Sequence, residues 1–314
     1  MPIGMLQIQN WSNLRKRVAA AAILLPLTLF AFLFGPSWFV VLFLLFSCTL
    51  SVSEMAMMVL PALDRKLAAN PAPQIDPITG HRLPQVYVFP AITVFLGWAV
   101  LIASVSDTAE VAVGSVAFAA FMALLIGVFS SKDIDVAAGR AFGILISLCY
   151  GALPWVIVWF LYRAGPNARY VLLLMAVTWC GDTGAYFGGR YYGGKILGDR
   201  KLAPVISPKK TWEGAIAGVL ASVVGAHLVN LIFLNALGSF GFMTRLAMAG
   251  GIAAQLGDLV ESTFKRFSGV KDSGVLIPGH GGFLDRVDGI LFAAPVIWAI
   301  LYYFRGVPLT LPVP

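Results

Sequence analysis

The chain has 314 residues, of which 59% are hydrophobic and only 12% charged; its formal net charge is +7 and its mean hydropathy +0.85. A soluble domain carries about 25% charged residues, so these figures exclude a water-facing surface of ordinary size. The positive balance invites a nucleic-acid reading, but the basic residues are distributed by membrane topology, which excludes that reading too.

In chain order, segments 18–34, 37–60, 86–104, 111–129, 141–162, 169–187, 214–235, 244–260 and 289–304 each read as a membrane-spanning helix. Spanning takes about 20 apolar residues, within a range of about 17–25, and the last two segments sit at or below its lower end. The expectation is an all-α, polytopic integral membrane protein with about nine transmembrane helices. Arg15, Lys16 and Arg17 precede a first run too long for a cleavable signal peptide and without a small-residue cleavage site. Loop 61–85 is rich in proline and reads as a connection. Cys48, Cys149 and Cys180 all lie in apolar runs and read as small buried residues rather than a disulfide framework.

Most of the 22 Lys and Arg residues fall on one side of the expected bilayer: Arg15–Arg17, Arg65, Lys66, Arg82, Lys132, Arg140, then Arg190 to Lys210, and Lys265 to Arg286. The positive-inside rule puts that side, with the N-terminus, in the cytosol. Nine spans leave the C-terminus outside. The acids are uneven in another way. More than half of the 15 acidic residues, Asp182, Asp199, Glu213, Asp258, Glu261, Asp272, Asp285 and Asp288, fall in or beside the last four spans. Acids at membrane depth are costly and read as functional. Residues 1–170 therefore read as a hydrophobic transmembrane scaffold and 171–314 as a catalytic half, within one structural domain.

Three clusters carry chemistry. In the first, around Trp179–Arg190, Thr178, Asp182 and Tyr186 recur at i, i+4, i+8 and share one helical face, with Gly181, Gly184 and Ala185 allowing close packing. The second, Ser207-Pro208-Lys209-Lys210-Thr211-Trp212-Glu213-Gly214, lies in the most basic loop, just before a helix. Lysines, hydroxyls and a helix N-terminus together suit a triphosphate, though the glycine run of a P-loop is missing. A headgroup-binding loop is the alternative. In the third, Gln255, Asp258, Ser262 and Lys265 share a helical face, and Asp285 and Asp288 stand at i, i+3 at the mouth of the last span. Convergent carboxylates without a Cys or His set suit Mg²⁺ rather than zinc. His280, among Gly279, Gly281 and Gly282, sits in a turn that lets backbone approach a phosphate.

The run Ser262-x-Phe264-Lys265-Arg266-x4-Lys271-Asp272-x-Gly274-x2-Ile277-Pro278-x-His280-Gly281-Gly282-Phe283-x-Asp285-Arg286-Val287-Asp288 resembles the signature of the phosphatidate cytidylyltransferases, or CDP-diacylglycerol synthases. Gly181–Tyr186 and Ser207–Gly214 are similar to further motifs of that family, so the resemblance covers about residues 175–290. It implies an enzyme of phospholipid biosynthesis that joins CTP to phosphatidate, releasing pyrophosphate, from a cytosol-facing cavity in a bacterial-type inner membrane. It also implies a homodimer and Mg²⁺, with K⁺ beside it. Carried onto this chain, Asp258, Asp285 and Asp288 hold metal, and Asp258, Lys265, Asp285, Arg286 and Asp288 are catalytic. Asp182, Ser207, Lys209, Lys210, Thr211, Ser262, Lys271, His280, Gly281 and Gly282 are the expected substrate contacts.

Two classes stand as alternatives. A lipid or ion transporter also carries buried acids and glycine-interrupted helices, but inverted repeats are not visible. A same-family enzyme acting on another lipid phosphate shares every motif. The CDP-alcohol phosphotransferases share only the start of their pattern, Asp285-x2-Asp288-Gly289.

Overall fold

A computed structural model describes residues 28–30, 32–68, 85–106, 109–165, 168–198, 200–233, 238–274 and 281–306. It is helical: α1 (Ser37–Leu67), α2 (Gln85–Val105), α3 (Ala109–Phe129), α4 (Ile134–Gly151), α5 (Leu153–Ala164), α6 (Arg169–Tyr192), α7 (Trp212–Ile232), α8 (Phe240–Ser268) and α9 (Leu284–Arg305). Two short strands, β1 (Lys201–Ala203) and β2 (Ser207–Thr211), form an antiparallel hairpin between α6 and α7, pairing Lys201 with Thr211 and Ala203 with Ser207.

Seven helical stretches among the described residues are long and apolar enough to cross a membrane, and the chain is an integral membrane protein. The expected count of nine is not reproduced among the described residues. The first expected span, 18–34, lies largely outside the described residues. α8 is long, at 29 residues, but its polar side chains keep it out of the apolar set. α4 and α5 together make one stretch, Ile134–Ala164, broken at Ala152 where Pro154 cannot continue the hydrogen-bond ladder. α1 runs through Pro61 to Leu67, so the expected loop begins later than residue 61.

Polar groups inside hydrocarbon need partners within the protein, and the first half supplies them locally. The hydroxyls of Thr49, Ser51, Thr93, Ser104 and Ser147 each donate to the carbonyl four residues earlier in their own helix. Large side chains such as Phe95, Phe118, Phe121, Val128 and Leu220 point away from the protein, as a lipid-facing surface requires. The core runs from α1 through α4 and α5 to α6 and α9, with Leu44, Met55, Ile144, Leu161, Leu173, Leu291 and Ile297 fully buried.

Close glycine approaches occur in both halves, at Gly127 and Gly151 in the first as well as in the second. α6 lies along α7 with glycine or alanine at each crossing, and a Cβ at Gly218 would come within 2.9 Å of Gln255 Nε2 and 3.0 Å of the Gly181 carbonyl. α8 meets α9 at Gly257, where a Cβ would sit 2.5 Å from the Asp288 carbonyl. Such approaches let backbones, and the acids they carry, come together. One end of the bundle gathers the charged helix ends. Arg140 forks onto Asp64 with two 3.0 Å bonds, Arg65 donates to the Ser268 carbonyl at 3.3 Å, and Lys66 lies over the Phe267 ring.

Candidate active site

The acids of the second half converge at that end. Asp258 and Glu261 stand one turn apart on α8, and Asp288 is one turn into α9. Carboxylate oxygens of the three lie within 4.8 Å of one another. Three like charges this close repel unless a cation joins them. Glu261 is fully buried, and its Oε1 has no hydrogen-bond partner. A buried oxygen left unsatisfied costs about 1–3 kcal/mol, more when charged, so the arrangement favours a ligand at that atom. The donors are all oxygen, which fits a hard divalent cation and not zinc.

Basic groups close in from two sides. Lys210, on β2, places Nζ 2.6 Å from Asp258 Oδ2. The hairpin is held in place from below: Thr211 caps α7, accepting from the Gly214 N–H at 3.2 Å, and Glu213 accepts from the Gly194 and Leu197 N–H groups, each at 3.0 Å. Arg266 on α8 donates to the Ile206 carbonyl in the hairpin turn. The sequence reading of 207–214 as a basic loop is thus corrected to a strand and a capped helix start. Asp182 on α6 is exposed and lies within electrostatic reach of Asp258, Lys210 and Arg286.

Comparison with known proteins fixes the family. The cytidylyltransferase family model matches residues 15–304. The chain belongs to the cytidylyltransferase family. It is 49% identical over 137 residues to the phosphatidate cytidylyltransferase of Brucella suis biovar 1 (strain 1330), a match covering 44% of this chain and 47% of that protein. It is 39% identical over 158 residues to the phosphatidate cytidylyltransferase of Staphylococcus saprophyticus (49% of this chain, 58% of that one) and 40% identical over 158 residues to that of Staphylococcus haemolyticus. The chain spans about half the length of the curated relatives it matches.

Within this cytidylyltransferase chain, Asp285 stands apart from the three-acid group. Its Oδ1 accepts from Lys265 Nζ at 2.5 Å, and its Oδ2 accepts from the N–H groups of Gly282 (2.8 Å) and Ser273 (3.0 Å), with Ser273 Oγ 3.1 Å away. Lys265 also donates to Glu261 Oε2 at 2.9 Å, so it bridges the acid group to Asp285. Gly281 has φ +81°, a conformation glycine tolerates, and a Cβ there would lie 2.6 Å from Asp285 Oδ2. Ser262 donates to Asp258 Oδ1 at 3.3 Å. Ser207 lies on β2 beside the turn. Lys209, Lys271 and Arg286 are exposed, and His280 lies outside the described residues.

Thr178, expected to share a face with Asp182 and Tyr186, is buried and bonds back to the Leu174 and Met175 carbonyls. Tyr186 accepts from Arg190. Residues the sequence did not select are equally placed. Glu261 completes the acid group. Glu54, from α1, holds the start of α9. Tyr150, from α4, donates to the Gly257 carbonyl at 3.2 Å and packs on Phe264 and Phe292. Glu261 carried one usable signal, its i+3 spacing from Asp258 and i−4 spacing from Lys265.

Proposed function

We propose that the chain transfers the cytidylyl group of CTP to phosphatidate, forming CDP-diacylglycerol and pyrophosphate within a membrane. The observation that carries the reading is the convergence of Asp258, Glu261 and Asp288 beside Lys210 and Lys265 in a cytidylyltransferase-family chain. The printed names of its relatives support phosphatidate as acceptor. The positive-inside pattern supports a cytosolic N-terminus and a cytosol-facing site in an inner membrane, and the family resemblance supports a homodimer.

Both reactants are polyanionic, so the protein's task is mainly positioning and charge neutralisation. Asp258, Glu261 and Asp288 would hold Mg²⁺, which when bound neutralises phosphate charge and orients the phosphates. The family resemblance supports K⁺ as a second cation beside it. Lys210, which leans on Asp258 in a half-buried ion pair, can exchange that partner for a phosphate when CTP arrives. Lys209, next to it and exposed, offers a second charge to the triphosphate. Ser207 and Thr211 flank this pair, and the Thr211 hydroxyl, which accepts from the Gly214 N–H in the helix cap, keeps its own O–H to donate. Lys265 and Asp285 keep Glu261 and the start of α9 in register. Arg286, exposed beside Asp182, faces the lipid phosphate. A phosphate monoester has a second pKa of about 6 and is mostly dianionic at neutral pH, so no general base is required. An oxygen of phosphatidate attacks the α-phosphorus of CTP as the bond to the β,γ-diphosphate breaks, and pyrophosphate leaves toward water.

The test is purified protein with α-labelled CTP, Mg²⁺ and a panel of lipid phosphates. Label should enter the lipid phase only with a lipid phosphate present, and most rapidly with phosphatidate. Label entering only with an isoprenoid phosphate would move the chain to another substrate, and no transfer to any lipid would overturn the reading.

A further inference from the structure

Glu54 sits within an apolar helix, in the half of the chain that carries no motif, and is 6% exposed. A buried carboxylate is tolerated only when it is well bonded. Its partners all come from residues far along the chain. Ser273 Oγ donates to Oε2 at 2.7 Å, the Leu284 N–H donates to Oε2 at 2.8 Å, and the Phe283 N–H donates to Oε1 at 2.9 Å. Phe283 and Leu284 open α9, and Phe283 has no side chain with which to cap it. Glu54 supplies that cap from another helix and puts negative charge at the positive end of α9.

The cap adjoins the chemistry. Ser273, whose hydroxyl donates to Glu54, also donates its backbone N–H to Asp285 Oδ2 at 3.0 Å. Asp288 is one turn further along α9. The fit leaves no slack: a Cβ at Gly274 would lie 2.6 Å from Glu54 Oε1. Trp155 stacks on the Phe283 ring and donates Nε1 to Ser51 on α1, a second hold on the same point.

We propose that Glu54 is a positioning residue for the transfer reaction. Through Ser273 and two backbone N–H groups, its carboxylate fixes the start of α9, so that Asp285 engages Lys265 and Asp288 meets Asp258 and Glu261. The role rests on the cytidylyl transfer proposed for the chain. The two N–H donors lie on different carboxylate oxygens, so glutamine, with one acceptor and one donor, cannot serve both. Aspartate keeps both acceptors but is one methylene short.

The experiment compares wild type, Glu54→Gln, Glu54→Asp and Ser273→Ala in detergent, each selected as the monodisperse fraction. Misplacing catalytic groups by about 1 Å costs about 100-fold, so Glu54→Gln is expected to lower kcat about 10–100-fold while KM for CTP moves less than about threefold. Glu54→Asp should recover part of kcat. Ser273→Ala, which removes one hydroxyl, should lower kcat in the same direction and keeps the test alive if Glu54→Gln does not fold. A purely structural role moves the unfolding midpoint and leaves kcat of the folded fraction alone. Glu54→Gln, or Ser273→Ala in its place, with kcat within about threefold of wild type overturns the proposal. So does Glu54→Asp at or below Glu54→Gln, or a loss confined to KM. Amide hydrogen exchange at Phe283 and Leu284 separates this from failure of the functional reading. If wild type transfers no label yet Glu54→Gln accelerates exchange there, the reaction is wrong and the cap is right. If exchange is unchanged, the cap itself is wrong.

Discussion

The two halves of this membrane protein meet the same solvent with different chemistry. In α1 to α5 the interior is mainly an apolar core, with Glu54 and the Arg140–Asp64 pair as its charged groups. In α6 to α9, the helices approach through glycine and carry unlike and like charges into contact: Lys210 on Asp258, Lys265 on Glu261 and Asp285. Helices approach closely in both halves, at Gly127 and Gly151 as at Gly218 and Gly257, so what sets the second apart is the acids that its close approach between α8 and α9 brings within one ion's reach. The first half is not inert, however. Glu54, Arg65 and Tyr150 each reach across to the charged end of the second.

The sharpest way to break the comparison is to exchange acids in each half. Asp288→Asn, in a protein that still inserts and elutes as wild type, should lose at least about 100-fold in activity, the scale of removing a group aimed at transition-state charge. Glu110→Gln, in the first turn of α3, should keep activity within about twofold, as surface changes within about 0.5 kcal/mol do. Equal losses would erase the distinction between the halves.

A second contrast uses glycine alone. Gly218→Ala forces a methyl against Gln255 and the Gly181 carbonyl and should destabilise the α6–α7 pair by about 1–3 kcal/mol, read as a lower unfolding midpoint in detergent. Gly114→Ala meets nothing within 4 Å and should be neutral or stabilising by about 0.5–1 kcal/mol. The reverse order would mean that α6 and α7 are not closely packed.

The smaller effect concerns the hairpin. Lys209→Ala or Lys210→Ala, each made singly, should raise the half-saturating CTP concentration by about 10–150-fold, at about 1.5–3 kcal/mol for the charge-assisted bond lost, and leave phosphatidate dependence nearly unchanged. A shift below about threefold, with sensitivity to anionic lipid altered instead, would make the hairpin a membrane contact.

Much of this was legible in the residues. The long apolar runs pointed to a polytopic helical membrane protein, though not to its number of spans, and helical spacing put Asp258, Ser262 and Lys265 on one face. The hairpin was not legible, because Lys201–Ala203 and Ser207–Thr211 are short, polar and interrupted by Pro208. Glu261 was passed over because an acid four residues before a lysine reads as an ordinary helix ion pair, whereas its second oxygen is buried without a hydrogen-bond partner. Glu54 was hidden for a different reason. Its partners lie more than 200 residues away, and no local pattern encodes a cap supplied by another helix. Asp285, which spacing pairs with Asp288, is turned aside by bonds from Gly282 and Ser273 that only the folded turn reveals.

The central claim is that Asp258, Glu261 and Asp288 form the cation site and that Asp285 supports it from outside. Binding of Mn²⁺ to detergent-purified protein, followed by electron paramagnetic resonance and by competition with Mg²⁺, tests this without any turnover. Loss of a ligand should weaken Mn²⁺ far more than loss of a supporting group, which typically costs about 10–100-fold. The account predicts that Glu261→Gln abolishes measurable binding, whereas Asp285→Asn retains a site that Mg²⁺ still displaces. Wild-type affinity in Glu261→Gln, with binding lost in Asp285→Asn, would contradict it.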